Sequence, residues 1–231
     1  MVKVISLGGS IVAPDKVDTV FLKELHSLIK KYLEEDKSRK LILVIGGGGP
    51  ARSYQKAYRE IADSPSSDRQ DWIGIAATRL NGELLRSVFA GYCDNNVVTD
   101  PTAVREFNGR ILVAAGWKPG FSTDFDAVIL AEKFNAKTVI NLSNISKVYS
   151  EDPKINPAAV PLDKMNWADF KKLVGEEWIP GKNVPFDPIA TKKAAELGMQ
   201  IVVAGGKDIN NLELILQDKL EEMEGTLIGP E

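Results

Sequence analysis

Residues 41–50 read Leu41-Ile42-Leu43-Val44-Ile45-Gly46-Gly47-Gly48-Gly49-Pro50. Five apolar residues in a row, three of them β-branched and the other two leucine, fit a short strand covered on both faces. Four glycines stop it. Pro50 has its φ already set for the first turn of a helix, where a missing N–H costs nothing. The spacing predicts that this helix runs to about Ala62. The stretch is therefore a strand, a glycine turn and a helix in series.

The same unit recurs on either side. Val2 to Leu7 is a strand-like run that ends at Gly8-Gly9-Ser10. Arg110 to Ala115 is another, broken at Gly116-Trp117-Lys118-Pro119-Gly120 and followed by a predicted helix from Asp124 to Phe134. Asp18 is placed to cap a helix over 19–35, with Val20, Phe21, Leu25, Leu28, Ile29 and Leu33 on one stripe. Residues 64–69 read as a polar loop, and a long helix is expected from Asp71 to Tyr92. Further strands are expected at Lys137 to Leu142 and Gln200 to Ala204, and an edge strand at Gly225 to Ile228. Helices are expected at Trp167 to Val174, Pro188 to Leu197 and about Asn211 to Glu222. Lys147 to Pro157 is turn-rich. Strands alternating with helices predict an α/β protein, a three-layer αβα sandwich with a mainly parallel central sheet. No linker or repeat divides residues 1–231, so one domain with two lobes is expected.

Composition narrows the chemistry. The 231 residues are 44% hydrophobic and 26% charged, with net charge -3. Lys and Arg are spread along the chain, so no nucleic-acid footprint is read. No apolar run is long enough to cross a bilayer, and no signal peptide is evident, so a cytoplasmic protein without membrane contact is expected. A single cysteine, Cys93, excludes an internal disulfide. A single histidine, His26, sits on the predicted amphipathic helix among Leu22, Leu25 and Ile29, the setting of a boundary residue. Triads and multi-histidine zinc sites are excluded on that count. Catalysis is left to Lys, Arg, Asp, Ser, Thr, backbone amides and a bound divalent ion.

Glycine turns after parallel strands suit phosphate, because backbone N–H groups hold the anion and a side chain would block the approach. The helix that follows adds its N-terminal dipole. None of the turns is a P-loop, and no dinucleotide fingerprint is present. Arg52 lies in the first turns of the second helix, as either a phosphate clamp or a solvated arginine. Asp71 is either a helix cap or an acceptor for ribose hydroxyls. Ser122-Thr123-Asp124 opens a helix and suits an anion or a cap. Tyr149, in the turn-rich segment, either packs on a base or joins the local core.

Together these stretches resemble the amino acid kinase superfamily, and within it the archaeal-type uridylate kinases. Four segments carry the likeness: Gly46-Gly47-Gly48 with Ala51-Arg52; Asp71 to Arg79 with Asn81; Pro119-Gly120-Phe121-Ser122-Thr123-Asp124; and Ser143-Asn144 with Val148-Tyr149 and Asp152-Pro153-Lys154. The resemblance implies an acceptor-binding N-terminal part and an ATP-binding C-terminal part. It implies ATP contacts at Gly9, Ser10, Gly48, Arg52, Ser143, Asn144, Tyr149 and Asp152. UMP contacts are implied at Gly47, Asp71, Trp117, Lys118, Pro119, Gly120, Phe121, Ser122 and Thr123. Arg52 and Asp124 take catalytic roles, and Lys147 is either a compensating cation or an exposed side chain. The resemblance also implies Mg²⁺ with ATP, UMP as acceptor, pyrimidine nucleotide synthesis and a homohexamer. No protein ligand for a metal is assigned.

The chain departs from the family pattern in three places. Ser6 stands where many members have a lysine. Ser146 and Lys147 replace an acid and a glycine. Trp117 replaces a small hydroxylated residue. Two other readings stay open: a relative acting on another small acceptor, and a nucleotide-binding protein that lost turnover.

Overall fold

The computed structural model describes residues 2–153, 155–175 and 184–230. In chain order the elements are β1 (Val2–Leu7), α1 (Gly9–Val12), α2 (Thr19–Glu35), β2 (Lys40–Ile45), α3 (Gly48–Ile61), α4 (Ser67–Val88), β3 (Ile111–Ala114), α5 (Thr123–Lys133), β4 (Thr138–Ser143), β5 (Val148–Tyr149), β6 (Pro161–Leu162), β7 (Lys164–Asn166), α6 (Trp167–Val174), α7 (Pro188–Glu196), β8 (Gln200–Gly205), α8 (Ile209–Leu216) and β9 (Thr226–Gly229). Seven strands form one sheet in the order β3-β2-β1-β4-β8-β9-β7. The strands β3, β2, β1, β4 and β8 run parallel to one another, β9 pairs antiparallel with β8, and β7 pairs parallel with β9.

Side chains alternate along these strands, and the alternation sorts them into two cores. Ile5, Leu7, Leu41, Leu43, Ile45, Ile111 and Val113 pack with α2 and α8 on one face. Val4, Ile42, Val44, Leu112, Ala114, Ile201 and Val203 pack with α5, α6 and α7 on the other. Both faces are covered, which is why the strands read as unbroken apolar runs. The arrangement is the three-layer αβα sandwich expected from the sequence.

Several boundaries differ from expectation. The long helix starts at Ser67, inside the segment read as a loop, because Ser66 accepts from Arg69 N and caps it. Asp71 is thus not the cap; it lies in the second turn. The helix ends at Val88 rather than Tyr92. The last helix stops at Leu216, and Asp218 follows in the left-handed region with φ 60°. The C-terminal strand is not an edge strand: β9 lies between β8 and the short β7, which was not foreseen. Within the turn-rich segment, Val148–Tyr149 pairs antiparallel with Pro161–Leu162. His26 is half-buried on α2, its ring 5.2 Å from that of Phe89.

Candidate active site

Because β1 to β4 are parallel, the turns that leave them gather at one edge of the sheet, where α/β proteins bind ligands. Gly8 N donates to Leu142 O of β4 at 2.9 Å, and Gly46 N to Leu7 O of β1 at 3.0 Å. The first two glycine turns then interlock. A Cβ on Gly9 would lie 2.1 Å from Gly48 N and 2.5 Å from Gly46 C. Gly48 has φ +66°, a conformation that suits glycine. Two backbones approach with nothing between them, so their amides can face one anion.

Side chains fix this cradle. Asn81 Nδ2 donates to Gly46 O at 2.9 Å and Gly47 O at 3.2 Å. Arg52 Nη1 donates to Ser10 Oγ at 2.9 Å, and Nη2 to Pro14 O at 2.9 Å. Gly9, Ser10, Gly47, Gly48 and Arg52 are therefore brought together. The guanidinium is exposed and reaches across from α3 to the first turn.

The third turn is held to α4 and α5. Thr78 Oγ1 accepts from Gly116 N at 2.8 Å, and Asp71 Oδ2 from Gly120 N at 3.0 Å. Arg79 Nη2 donates to Trp117 O at 3.1 Å, and Trp117 N donates to Asp126 Oδ2 at 3.2 Å. Trp117, Phe121 and Phe125 form a ladder with ring centroids 4.9 and 4.8 Å apart. Lys118 Nζ lies 3.9 Å from the centre of the Trp117 ring, a cation–π distance. Pro119, Ser122 and Thr123 complete the loop, and Ser122 Oγ caps α5 by accepting from Phe125 N at 3.2 Å. Asp71, on α4, thus faces the loop 117–123.

Asp124 joins the two halves. Its Oδ1 accepts from Ser6 Oγ at 2.8 Å and its Oδ2 from Asp187 N at 3.3 Å. Burial pushes its carboxyl up to about 6, with the Asp187 charge adding and the Ser6 bond opposing. Asp187 is raised as well, again chiefly by burial. Asp126 is fully buried, and loss of solvent pushes it up to about 7.

The remaining positions lie at the end of β4 and in the segment after it. Ser143 ends β4 beside Gly8, whose Cβ would meet Ser143 Cα at 3.7 Å, and Asn144 is exposed just beyond. Tyr149 belongs to the β5–β6 hairpin, and the Asp152 carbonyl accepts from Ile155 N and Asn156 N in the turn after it. Lys147 does not reach Asp124: its ammonium bonds Asp163 Oδ1 at 2.5 Å. Lys154 lies outside the described residues.

Residues that sequence reading did not assign to the site are Ser6 as a bonding partner, Thr78, Arg79, Asp126 and Asp187. The signal was present for Thr78: Asp71, Thr78 and Asn81 share one face of α4 by helical spacing, and Thr78 and Asn81 are polar residues on a buried stripe. Asp126 stands among Ala127, Val128, Leu130 and Ala131, where an acid has no packing reason to be.

A parallel αβα sheet whose strand ends carry interlocked glycine turns, with an arginine and buried aspartates around them, defines a phosphate-handling α/β enzyme class without a P-loop. The sequence model of the amino acid kinase family matches residues 1–205, and the chain belongs to that family. It is 36% identical over 218 residues to a uridylate kinase of Methanospirillum hungatei, covering 93% of this chain and 89% of that one. A uridylate kinase of Hyperthermus butylicus is 31% identical, with 97% and 96% covered. The crystal structure of uridylate kinase from Archaeoglobus fulgidus superposes with TM-score 0.82 at 31% identity, covering 99% of this chain and all of that one.

Proposed function

We propose that the protein transfers the γ-phosphoryl group of ATP to UMP, giving UDP and ADP. The observation that carries this is the packing of Gly9 against Gly46 and Gly48, a backbone cradle at the strand ends with Arg52 spanning it. The uridylate kinase relatives support UMP as the acceptor. ATP is assigned to Gly9, Ser10, Gly48 and Arg52 together with Ser143, Asn144, Tyr149 and Asp152 of the C-terminal part. UMP is assigned to Gly47, Asp71 and the loop 117–123.

In this reading a UMP phosphate oxygen forms the new bond to the γ-phosphorus as the bond to the β–γ bridging oxygen breaks. The electron pair leaves with ADP. Little covalent work falls to the protein, so placing two anions together and offsetting their repulsion is the main task. Backbone amides of the glycine turns and the Arg52 guanidinium do this from fixed positions. Asp124, bonded to Ser6 and Asp187 N, orients the strand ends around the transfer path. Among the described residues no three His, Cys, Asp or Glu side chains are grouped to hold a metal ion. In this proposal Mg²⁺ arrives with the phosphates of ATP, as part of that cosubstrate. Lys147 is given no catalytic role here, since its partner is Asp163. A homohexamer in the cytoplasm, serving pyrimidine nucleotide synthesis, belongs to the same proposal; among the described residues no helix is long and apolar enough to cross a membrane.

One observation favours a second reading. Ser6 occupies the place of a common lysine and bonds Asp124, which fits a nucleotide-binding protein without turnover. A coupled assay with purified protein, Mg-ATP and a panel of UMP, CMP and AMP separates the two. Turnover of UMP in preference to the others is the expected result. Binding of UMP and ATP without ADP release would establish the second reading.

A further inference from the structure

Arg79 Nε and Asp126 Oδ1 are two of the buried side-chain atoms that lack a hydrogen-bond partner among the described residues. Both residues hold the same short piece of backbone. Arg79, on α4, donates through Nη2 to Trp117 O at 3.1 Å and Gly116 O at 3.4 Å. Asp126, on α5, accepts from Trp117 N at 3.2 Å. Thr78, one residue before Arg79, accepts from Gly116 N at 2.8 Å. Consecutive backbone groups just beyond β3 are thus satisfied by side chains from two helices rather than by a strand or helix ladder.

Stability alone does not explain the choice of residues. Asp126 is 0% exposed, and no cation pairs with it among the bonds of the described residues. Burying a carboxyl group with one oxygen unbonded is unfavourable, and an apolar residue would fit the adjoining buried face of α5 better. What the aspartate supplies is an acceptor aimed at one N–H group. What Arg79 supplies is a forked donor aimed at the carbonyls beside it.

The orientation of this peptide decides where the following loop lies. The Trp117 ring packs against Phe121, the two centroids 4.9 Å apart and the planes tilted by 43°. Three residues on, Gly120 N meets Asp71. We propose that Arg79 and Asp126 are positioning residues for the acceptor: they clamp the Gly116–Trp117 backbone from opposite sides and thereby set the loop 117–123, without touching the acceptor themselves. The proposal rests on the reading that this loop binds the acceptor.

The test uses the full chain and the variants Arg79→Met, Asp126→Ala and Asp126→Asn. Steady-state KM is measured for UMP at saturating ATP, and for ATP at saturating UMP. Amide hydrogen exchange of the unliganded proteins is followed in parallel. Loss of the clamp raises KM for UMP by about tenfold or more, the scale of one lost hydrogen bond to a charged group, while KM for ATP stays within about twofold. Exchange quickens over residues 116–123 and is unchanged in β3. Asp126→Asn, whose amide oxygen still accepts from Trp117 N, returns both readouts to wild type and does not depend on the larger truncations folding. Equal changes in both KM values, unaltered exchange in the loop, or an Asp126→Asn as impaired as Asp126→Ala overturns the proposal. Wild-type protein that neither binds nor phosphorylates UMP refutes the acceptor reading instead, and the exchange data still decide whether the clamp exists.

Discussion

Ser6 Oγ donates to Asp124 Oδ1 at 2.8 Å, so a side chain near the end of β1 rests on the first turn of α5. Burial raises the Asp124 carboxyl to about 6, and the serine bond holds it lower than burial alone would. Ser6→Ala removes that bond and leaves Oδ1 without its donor. The Asp124 carboxyl then rises further, and the acid limb of the pH–activity profile moves to higher pH. Stability falls by about 1 kcal/mol, the usual net worth of such a bond. An unmoved acid limb together with unchanged melting would show that the contact is idle.

Gly9→Ala tests the cradle. The added Cβ would meet backbone atoms of Gly46, Gly47 and Gly48 at 2.1–2.6 Å, and backbone cannot swing aside as a flexible side chain would. The two turns must separate. Turnover should become undetectable, with a stability loss of about 1–3 kcal/mol from overpacking. Activity within twofold of wild type would mean that the two turns separate without consequence for the transfer.

The sheet and its helices were legible because the physics is local. Residues 41–50 carry the strand, the stop and the helix start within ten positions. The N-terminus of α4 was misread because Ser66 caps it from a polar, loop-like stretch, and capping by one serine outweighs composition. The short β7 and the inner place of β9 depend on pairing between distant segments, which no local pattern records. In the site, the glycine turns and Arg52 were visible as spacing after strands. The partners of Asp124 were not, since Ser6, Asp124 and Asp187 meet only when β1, α5 and α7 are assembled. The pairing of Lys147 with Asp163 is likewise a tertiary outcome: a lysine read as either a compensating cation or an exposed side chain finds a carboxylate 16 residues away.

Arg52→Ala removes both bonds that tie α3 to the first glycine turn. If the guanidinium offsets charge on the transferring phosphoryl, kcat/KM falls by about thirtyfold or more, equivalent to about 2 kcal/mol of transition-state stabilisation. The arginine is exposed, so the melting temperature should change little. Steady-state kinetics read the first quantity and a thermal melt the second. An unchanged kcat/KM would remove Arg52 from the reaction.

Asp126→Asn predicts a pH-dependent gain in stability. Burial lifts the Asp126 carboxyl to about 7, the Trp117 N–H bond opposes this, and the charges of Asp124 and Asp100 add to it. The same group in an unfolded chain titrates near 3.8. Below that value both states carry the proton, and the residue contributes no pH dependence. Between the two values the folded protein keeps a proton that the unfolded chain has released, so rising pH favours unfolding. Above about 7 the folded state bears the full penalty of a buried carboxylate. An asparagine has no charge to desolvate and still accepts from Trp117 N. At pH 8 the variant should be more stable than wild type by more than about 1.4 kcal/mol, the equivalent of one pKa unit. The gap should close below about pH 4. Denaturant titrations of both proteins from pH 4 to 8 measure it, and a gap that stays constant across that range would mean that Asp126 does not change protonation on folding.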